Sequence, residues 1–177
     1  RQMCIRDRTL TDPSYAGQIV IQTAPHIGNT GVNLDDMESR KIWVNGFVVR
    51  DPARRPSNWR SERSLDEELA EQGITGIQGV DTRALSRHLR DKGAMRAGIF
   101  SGDQAGEPVA QLVQRVTEQP GMAGRALAEH VSTDETYVVE PREHGWDAPV
   151  RHEVVAVDLG IKSMTPQRLA ERGVRVH

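Results

Sequence analysis

Glu153-Val154-Val155-Ala156-Val157-Asp158-Leu159-Gly160 is a short apolar run closed by a glycine, the form of a strand buried on both faces of a parallel sheet. A strand is predicted from Glu153 to Leu159, with Gly160 turning the chain. Ser163 to Arg172 reads as a helix, in which Pro166 falls in the first turn, where a missing N–H does no harm. Gly173 stops that helix, and Val174 to His177 begins another strand. Strand, helix and strand in this order make a βαβ unit. The end of the chain is therefore α/β with parallel pairing, and the unit still wants at least one strand partner.

The pattern of strands and helices recurs upstream. Ile19, Val20 and Ile21 predict a strand within Gln18 to Ala24, ended by Pro25, and Lys41 to Arg50 predicts a second, with a possible bulge at Gly46. Between them, His26 to Asn33 carries two glycines and two asparagines and reads as a tightly turned loop. Asp51 to Arg63 is arginine-rich and proline-punctuated, an irregular surface connection with no core beneath it. Ser64 and Glu67 have capping-box spacing at the start of a helix that runs through Gln72 to Gly73. A short strand follows at Ile74 to Ile77. Asp81 caps a helix with Ala84, Leu85, His88 and Leu89 on one face, stopped by Gly93. Ala97 to Phe100 predicts a further strand, and Val109, Leu112, Val113 and Val116 an amphipathic helix. The alternation fades after about residue 130. Residues 131–151, with prolines, charges and Gly145 toward their end, read as a linker between a first domain and a second that opens at residue 152.

Composition narrows the function classes. The 177 residues carry a formal net charge of −2, so neither nucleic acid nor an anionic membrane surface is broadly attracted. Cys4 is the single cysteine, which excludes an internal disulfide framework and a cysteine-rich zinc site and fits a reducing cytoplasm. No apolar stretch approaches the roughly 20 residues that span a bilayer. Arg50, Arg54, Arg55, Arg60 and Arg63 with Trp59 form the one feature that hints at nucleic acid, and Asp51 and Glu62 interrupt it. A solvated surface or a protein contact suits that loop better. Gly28 and Gly31 lack the Lys-Ser/Thr ending of a phosphate cradle. His26 is read as a residue holding its loop, and His88 as a semi-buried helix residue. Asp12-Pro13-Ser14, taken alone, is a turn or cap.

Five strings, in order, resemble the small subunit of carbamoyl-phosphate synthase: Leu10-Thr11-Asp12-Pro13-Ser14-Tyr15, Pro25-His26-Ile27-Gly28-Asn29, Val80-Asp81-Thr82-Arg83-Ala84-Leu85, Arg87 through Met95, and Val155 through Lys162. The resemblance runs from about Thr9 to the end of the chain and leaves residues 1–8 as an unmatched leader. It implies an incomplete mixed β/α N-terminal domain at 9–130, the linker at 131–151, and the first elements of a doubly wound class I glutamine amidotransferase domain at 152–177. It also implies a function: the small subunit hydrolyses glutamine and passes ammonia to a large subunit, which makes carbamoyl phosphate from bicarbonate and ATP for arginine and pyrimidine synthesis.

The family's catalytic cysteine, histidine and glutamate fall beyond residue 177, so no catalytic residue is assigned here and the stretch itself is expected to be inactive. Cys4 lies in the leader and does not replace the nucleophile. By the same resemblance Ser14 contacts the bound glutamine, while Tyr15 is a packing residue. No metal or cofactor is expected on this chain; ATP and a divalent metal belong to the large subunit, which with L-glutamine is the expected partner. No nucleic acid or membrane partner is expected. The rival readings are a non-catalytic α/β interaction module and a nucleic-acid-binding domain using the arginine-rich loop.

Overall fold

A computed structural model describes residues 5–24, 26–143 and 145–177. Helix α1 (Ile5–Leu10) leads into a tight turn at Pro13–Tyr15 and strand β1 (Ile19–Ile21). Strand β2 (Gly46–Val48) pairs in parallel with β1, and β3 (Thr75–Ile77) pairs in parallel with β2 on its other side, in the register Ile19↔Gly46↔Thr75. The central strand is the most buried, with Phe47 at 1% exposure. Ile42, Val44 and Val49 beside it, Ile27 and Val32 from the loop and Leu65 and Leu69 from helix α2 (Leu65–Glu71) complete one apolar core, and Tyr15 and Val20 pack against it. Fully burying a side chain of this size contributes about 1.5–3 kcal/mol, so this cluster is what fixes the three strands.

Local signals in the sequence set most element ends. Ser64 accepts from the Glu67 N–H at 3.2 Å while the Glu67 carboxylate accepts from the Ser64 N–H at 2.8 Å, which starts α2 with the reciprocal pair its spacing predicts. Asp81 accepts from the Ala84 N–H at 3.0 Å to start helix α3 (Thr82–Lys92), and Gly93, at φ +82°, ends it. Helices α4 (Val109–Glu118) and α5 (Leu127–Val131) follow.

The predicted strand at Ala97 to Phe100 does not form. Ile99 instead packs over the sheet where Gly46 has no side chain: a Cβ there would stand 2.8 Å from the Ile99 Cδ1. A Cβ on Gly98 would likewise stand 2.9 Å from Val116 Cγ2 of α4, so this segment packs between sheet and helix rather than extending a ladder. Gly46 accordingly opens β2 in regular register with both neighbours, without the expected bulge.

Within 131–151 the chain forms a short antiparallel hairpin, β4 (Arg142–Glu143) with β5 (Trp146–Asp147). Strand β6 (His152–Val154), helix α6 (Met164–Ala170) and β7 (Val174–Val176) then give the expected βαβ unit, with β6 and β7 parallel. The ladder is shorter than the predicted strand: its last paired residues are Val154 and Val176, with one further hydrogen bond from the Ala156 N–H to the His177 carbonyl at 2.8 Å. Val155 and Val157 are 83% and 78% exposed, so the apolar run is not buried on both faces here. Val139 bridges β7 at Val176 from the other side, donating to and accepting from it at 2.9 and 3.1 Å. The whole is mixed α/β with parallel sheets. Among the described residues no helix is long and apolar enough to cross a membrane.

Candidate functional site

Ser14 sits in the turn that Asp12 caps. Pro13 presets the first position of that turn, and the Ser14 N–H donates to the Asp12 Oδ1 at 2.9 Å. The Ser14 side is exposed, while Thr11, Asp12 and Pro13 are buried beneath it. Such a turn holds a hydroxyl at the surface, where it bonds the Asp12 carboxylate and keeps an oxygen that can accept from a polar ligand.

The turn is braced by the second part of the chain. Lys162 Nζ lies 2.6 Å from Asp12 Oδ2, so the two oxygens of one carboxylate hold the Ser14 backbone and the start of the βαβ crossover together. Only 5% of the Asp12 side chain is exposed. Burial pushes this carboxyl up, but hydrogen bonds from Lys162 and Ser14 outweigh it and hold the group below its ordinary value. The hydrogen bond to Asp12 in turn raises Lys162. Both members are therefore charged near neutrality.

The loop carrying Lys162 is shaped by Asp158, whose Oδ1 accepts from the N–H groups of Gly160 and Ile161 at 2.9 and 2.8 Å. Its Oδ2 accepts from the Tyr137 hydroxyl at 2.8 Å. Gly160 has φ +95°, and a Cβ there would lie 2.7 Å from Val131 Cγ2 and 3.1 Å from the Pro13 Cβ, so only glycine lets the loop approach the Asp12–Ser14 turn this closely.

A second contact adjoins the first. Ser163 donates from its N–H to the Glu38 carbonyl at 2.8 Å and from its hydroxyl to the Met37 carbonyl at 2.9 Å, and Arg8 pairs with the buried Glu38 carboxylate at 3.3 Å. A cleft of about 350 Å³ opens along this seam, lined by Pro13, Trp43, Tyr137, Asp158, Gly160 and Ser163 among others. Ser14 is not part of that lining.

The remaining candidates lie elsewhere. His26 Nδ1 stands 3.4 Å from Asp51 Oδ2, with both side chains largely exposed, a partner that spacing did not reveal. Gly28 and Gly31 both have positive φ and serve packing: a Cβ on Gly31 would overlap Ser61. Arg60 is 3.2 Å from Asp35, and Arg63 pairs with Glu68 and Glu71. Arg50, Arg54 and Arg55 are exposed, and Trp59 is 91% exposed. His88 is exposed rather than semi-buried, and Ala84 and Leu85 on the same face of α3 are exposed with it. Cys4 lies outside the described residues, as does the first half of the leader; α1 runs through its end at residue 8 without a break. The described residues contain no cysteine and no group of three side chains suited to a metal ion.

Asp12, Asp158, Lys162 and Tyr137 are the residues that sequence reasoning left without roles. The first three stand in strings quoted for their resemblance, which was the available signal. Their mutual pairing has none, since it joins points at opposite ends of the chain.

A family model described as "Carbamoyl-phosphate synthase small chain, CPSase domain" matches residues 3–99, beginning inside the segment the quoted strings leave unmatched. Among curated proteins, the chain is 59% identical over 169 residues to the carbamoyl phosphate synthase small chain of Streptomyces coelicolor, covering 96% of this chain and 43% of that one. It is 56% identical over 177 residues to that of Bifidobacterium longum, with the same coverage. With that of Corynebacterium glutamicum it shares 58% over 169 residues, covering 94% of this chain and 42% of the relative. The chain thus spans less than half the length of these relatives.

Proposed function

This chain belongs to the family of carbamoyl-phosphate synthase small chains, and on that premise we propose that its protein supplies ammonia from glutamine to a large, ATP-dependent chain that makes carbamoyl phosphate. Residues 152–177 then open the amidotransferase domain, and Ser14 touches the glutamine from the neighbouring domain. The observation that carries this reading is the Asp12 carboxylate held between the Ser14 N–H and Lys162 Nζ. It fixes the exposed serine relative to the crossover that follows β6, on the side where α/β sheets bind their ligands.

The chemistry assigned to these residues is binding, not bond breaking. A serine hydroxyl donates to an α-carboxylate or accepts from an ammonium group, and so orients an amino acid without attacking it. Glutamine hydrolysis by a cysteine thioester, with histidine as base, is assigned to residues outside this chain. ATP and a divalent metal ion belong in this reading to the large chain, whose product feeds arginine and pyrimidine synthesis in the cytoplasm.

The test is reconstitution. The complete small chain with its large chain should make carbamoyl phosphate from glutamine or from ammonia, and the large chain alone from ammonia only. Glutamine-dependent synthesis that persists at the same rate without the small chain would contradict the proposal, and a non-catalytic interaction module would then be the better description.

A further inference from the structure

We propose that Tyr137 is a positioning residue for glutamine, holding the Gly160–Lys162 loop in place through the Asp158 carboxylate; this rests on the reading of Ser14 as a glutamine contact. The path is continuous and every link is polar. Tyr137 Oη donates to Asp158 Oδ2, Asp158 Oδ1 accepts from the N–H groups of Gly160 and Ile161, Lys162 Nζ reaches Asp12 Oδ2, and Asp12 Oδ1 accepts from the Ser14 N–H.

Tyr137 suits this role because its backbone is anchored independently of the loop it supports. Two residues on, Val139 exchanges both of its hydrogen bonds with Val176 of β7. The phenol is thus carried on the sheet and reaches across to the loop. Without it, Asp158 would keep its two backbone donors and lose the side-chain hydrogen bond that ties the closed turn to the segment held on β7. Lys162 and Ser163 anchor the far end of the loop on Asp12, Met37 and Glu38, so the part that depends on Asp158 is the stretch before them, where Leu159 is 62% exposed and Val157 78% exposed and Gly160 meets Pro13 and Val131 without a side chain of its own. The protonation states agree with this geometry: burial and the Asp158 carboxylate push the Tyr137 phenol up to about 12, which keeps it a donor throughout the neutral range.

The test uses the complete small chain assembled with its large chain, and reads KM and kcat for glutamine beside the ammonia-dependent rate. Tyr137→Phe removes only the donor and should raise the glutamine KM about two- to tenfold, the scale on which links in a coupled network act, with kcat and the ammonia-dependent rate unchanged. Asp158→Ala should do at least as much. Asp158→Asn should stay near wild type, since its amide oxygen still accepts from both N–H groups and its NH2 donates to the phenol oxygen. In a Ser14→Ala background, Tyr137→Phe should add nothing.

If Ser14→Ala raises the KM and Tyr137→Phe does not, the positioning role is wrong and the Ser14 reading stands. If Tyr137→Phe acts while Ser14→Ala does not, the Ser14 reading fails and this route to it fails too. A parallel fall in both the glutamine and ammonia rates, or equal damage from Asp158→Asn and Asp158→Ala, would make Tyr137 merely structural or Asp158 merely a charge, and either result overturns the proposal.

Discussion

Replacing Lys162 by alanine leaves the Asp12 carboxylate, whose side chain is only 5% exposed, with Ser14 as its remaining hydrogen-bond donor. Breaking a fully buried pair from one side costs about 3–5 kcal/mol, whereas an exposed pair contributes about 0–1 kcal/mol. Lys162 is 49% exposed, so water repays much of what Asp12 loses. The 2.6 Å contact and the buried acceptor therefore place the effect between the two limits, at about 1–2 kcal/mol. Urea unfolding of the complete subunit, followed through the buried indole of Trp43, measures it. Asp12→Ala and the double variant close the cycle, and the coupling between the two sites should be about 1 kcal/mol because each single change strands the other partner. Strict additivity, with Lys162→Ala itself neutral, would mean that the pair does not join the two parts of the chain and would remove the structural support for the Ser14 reading.

Gly160→Ala should be more damaging than a surface glycine change, by about 2 kcal/mol or more, because it combines a left-handed backbone with a Cβ placed 2.7 Å from Val131; proteolysis of the 133–163 region should accelerate in the variant. Ser64→Ala removes one half of the capping box and should lower stability by about 1 kcal/mol in urea, with no change in glutamine use. The pH dependence has two arms. Asp12 and Asp158 are held below their ordinary value of 3.8, so the stability they contribute is present above that pH and is lost as pH falls through their lower folded values. Tyr137 is raised from 10.0 to about 12, so its contribution is present below pH 10 and disappears as pH rises toward 12. Tyr137→Phe should remove its share of that alkaline loss in a series of melts.

The sequence made the local structure readable wherever a side chain acts on its own backbone. The Ser64–Glu67 box, the Asp81 cap and the Gly93 stop all operate within one turn, and each lies where its residues predict. Strands were readable as apolar runs but not in their extent. Ala97 to Phe100 has strand composition, yet its Ile99 fills the gap over Gly46, and only the packed sheet reveals that gap. Val155 and Val157 likewise look like core and stand exposed, although Ala156 between them still bonds His177. The site divides in the same way. Asp12-Pro13-Ser14 was legible as a turn, and its resemblance pointed to Ser14. Lys162, Asp158 and Tyr137 gain their meaning only from tertiary contacts between residues remote in sequence, which no periodicity records.

The most direct measurement for the central claim is a pair of rates on the complete enzyme with Ser14→Ala, one driven by glutamine and one by ammonium. A hydrogen bond to a charged group contributes about 1.5–3 kcal/mol, so losing it should weaken glutamine use about ten- to a hundredfold, chiefly as a raised KM. In this reading ammonia bypasses the glutamine pocket, so the ammonium-driven rate should match wild type. If the two rates fall together, or if neither moves, Ser14 is a turn residue and its role as a glutamine contact is contradicted.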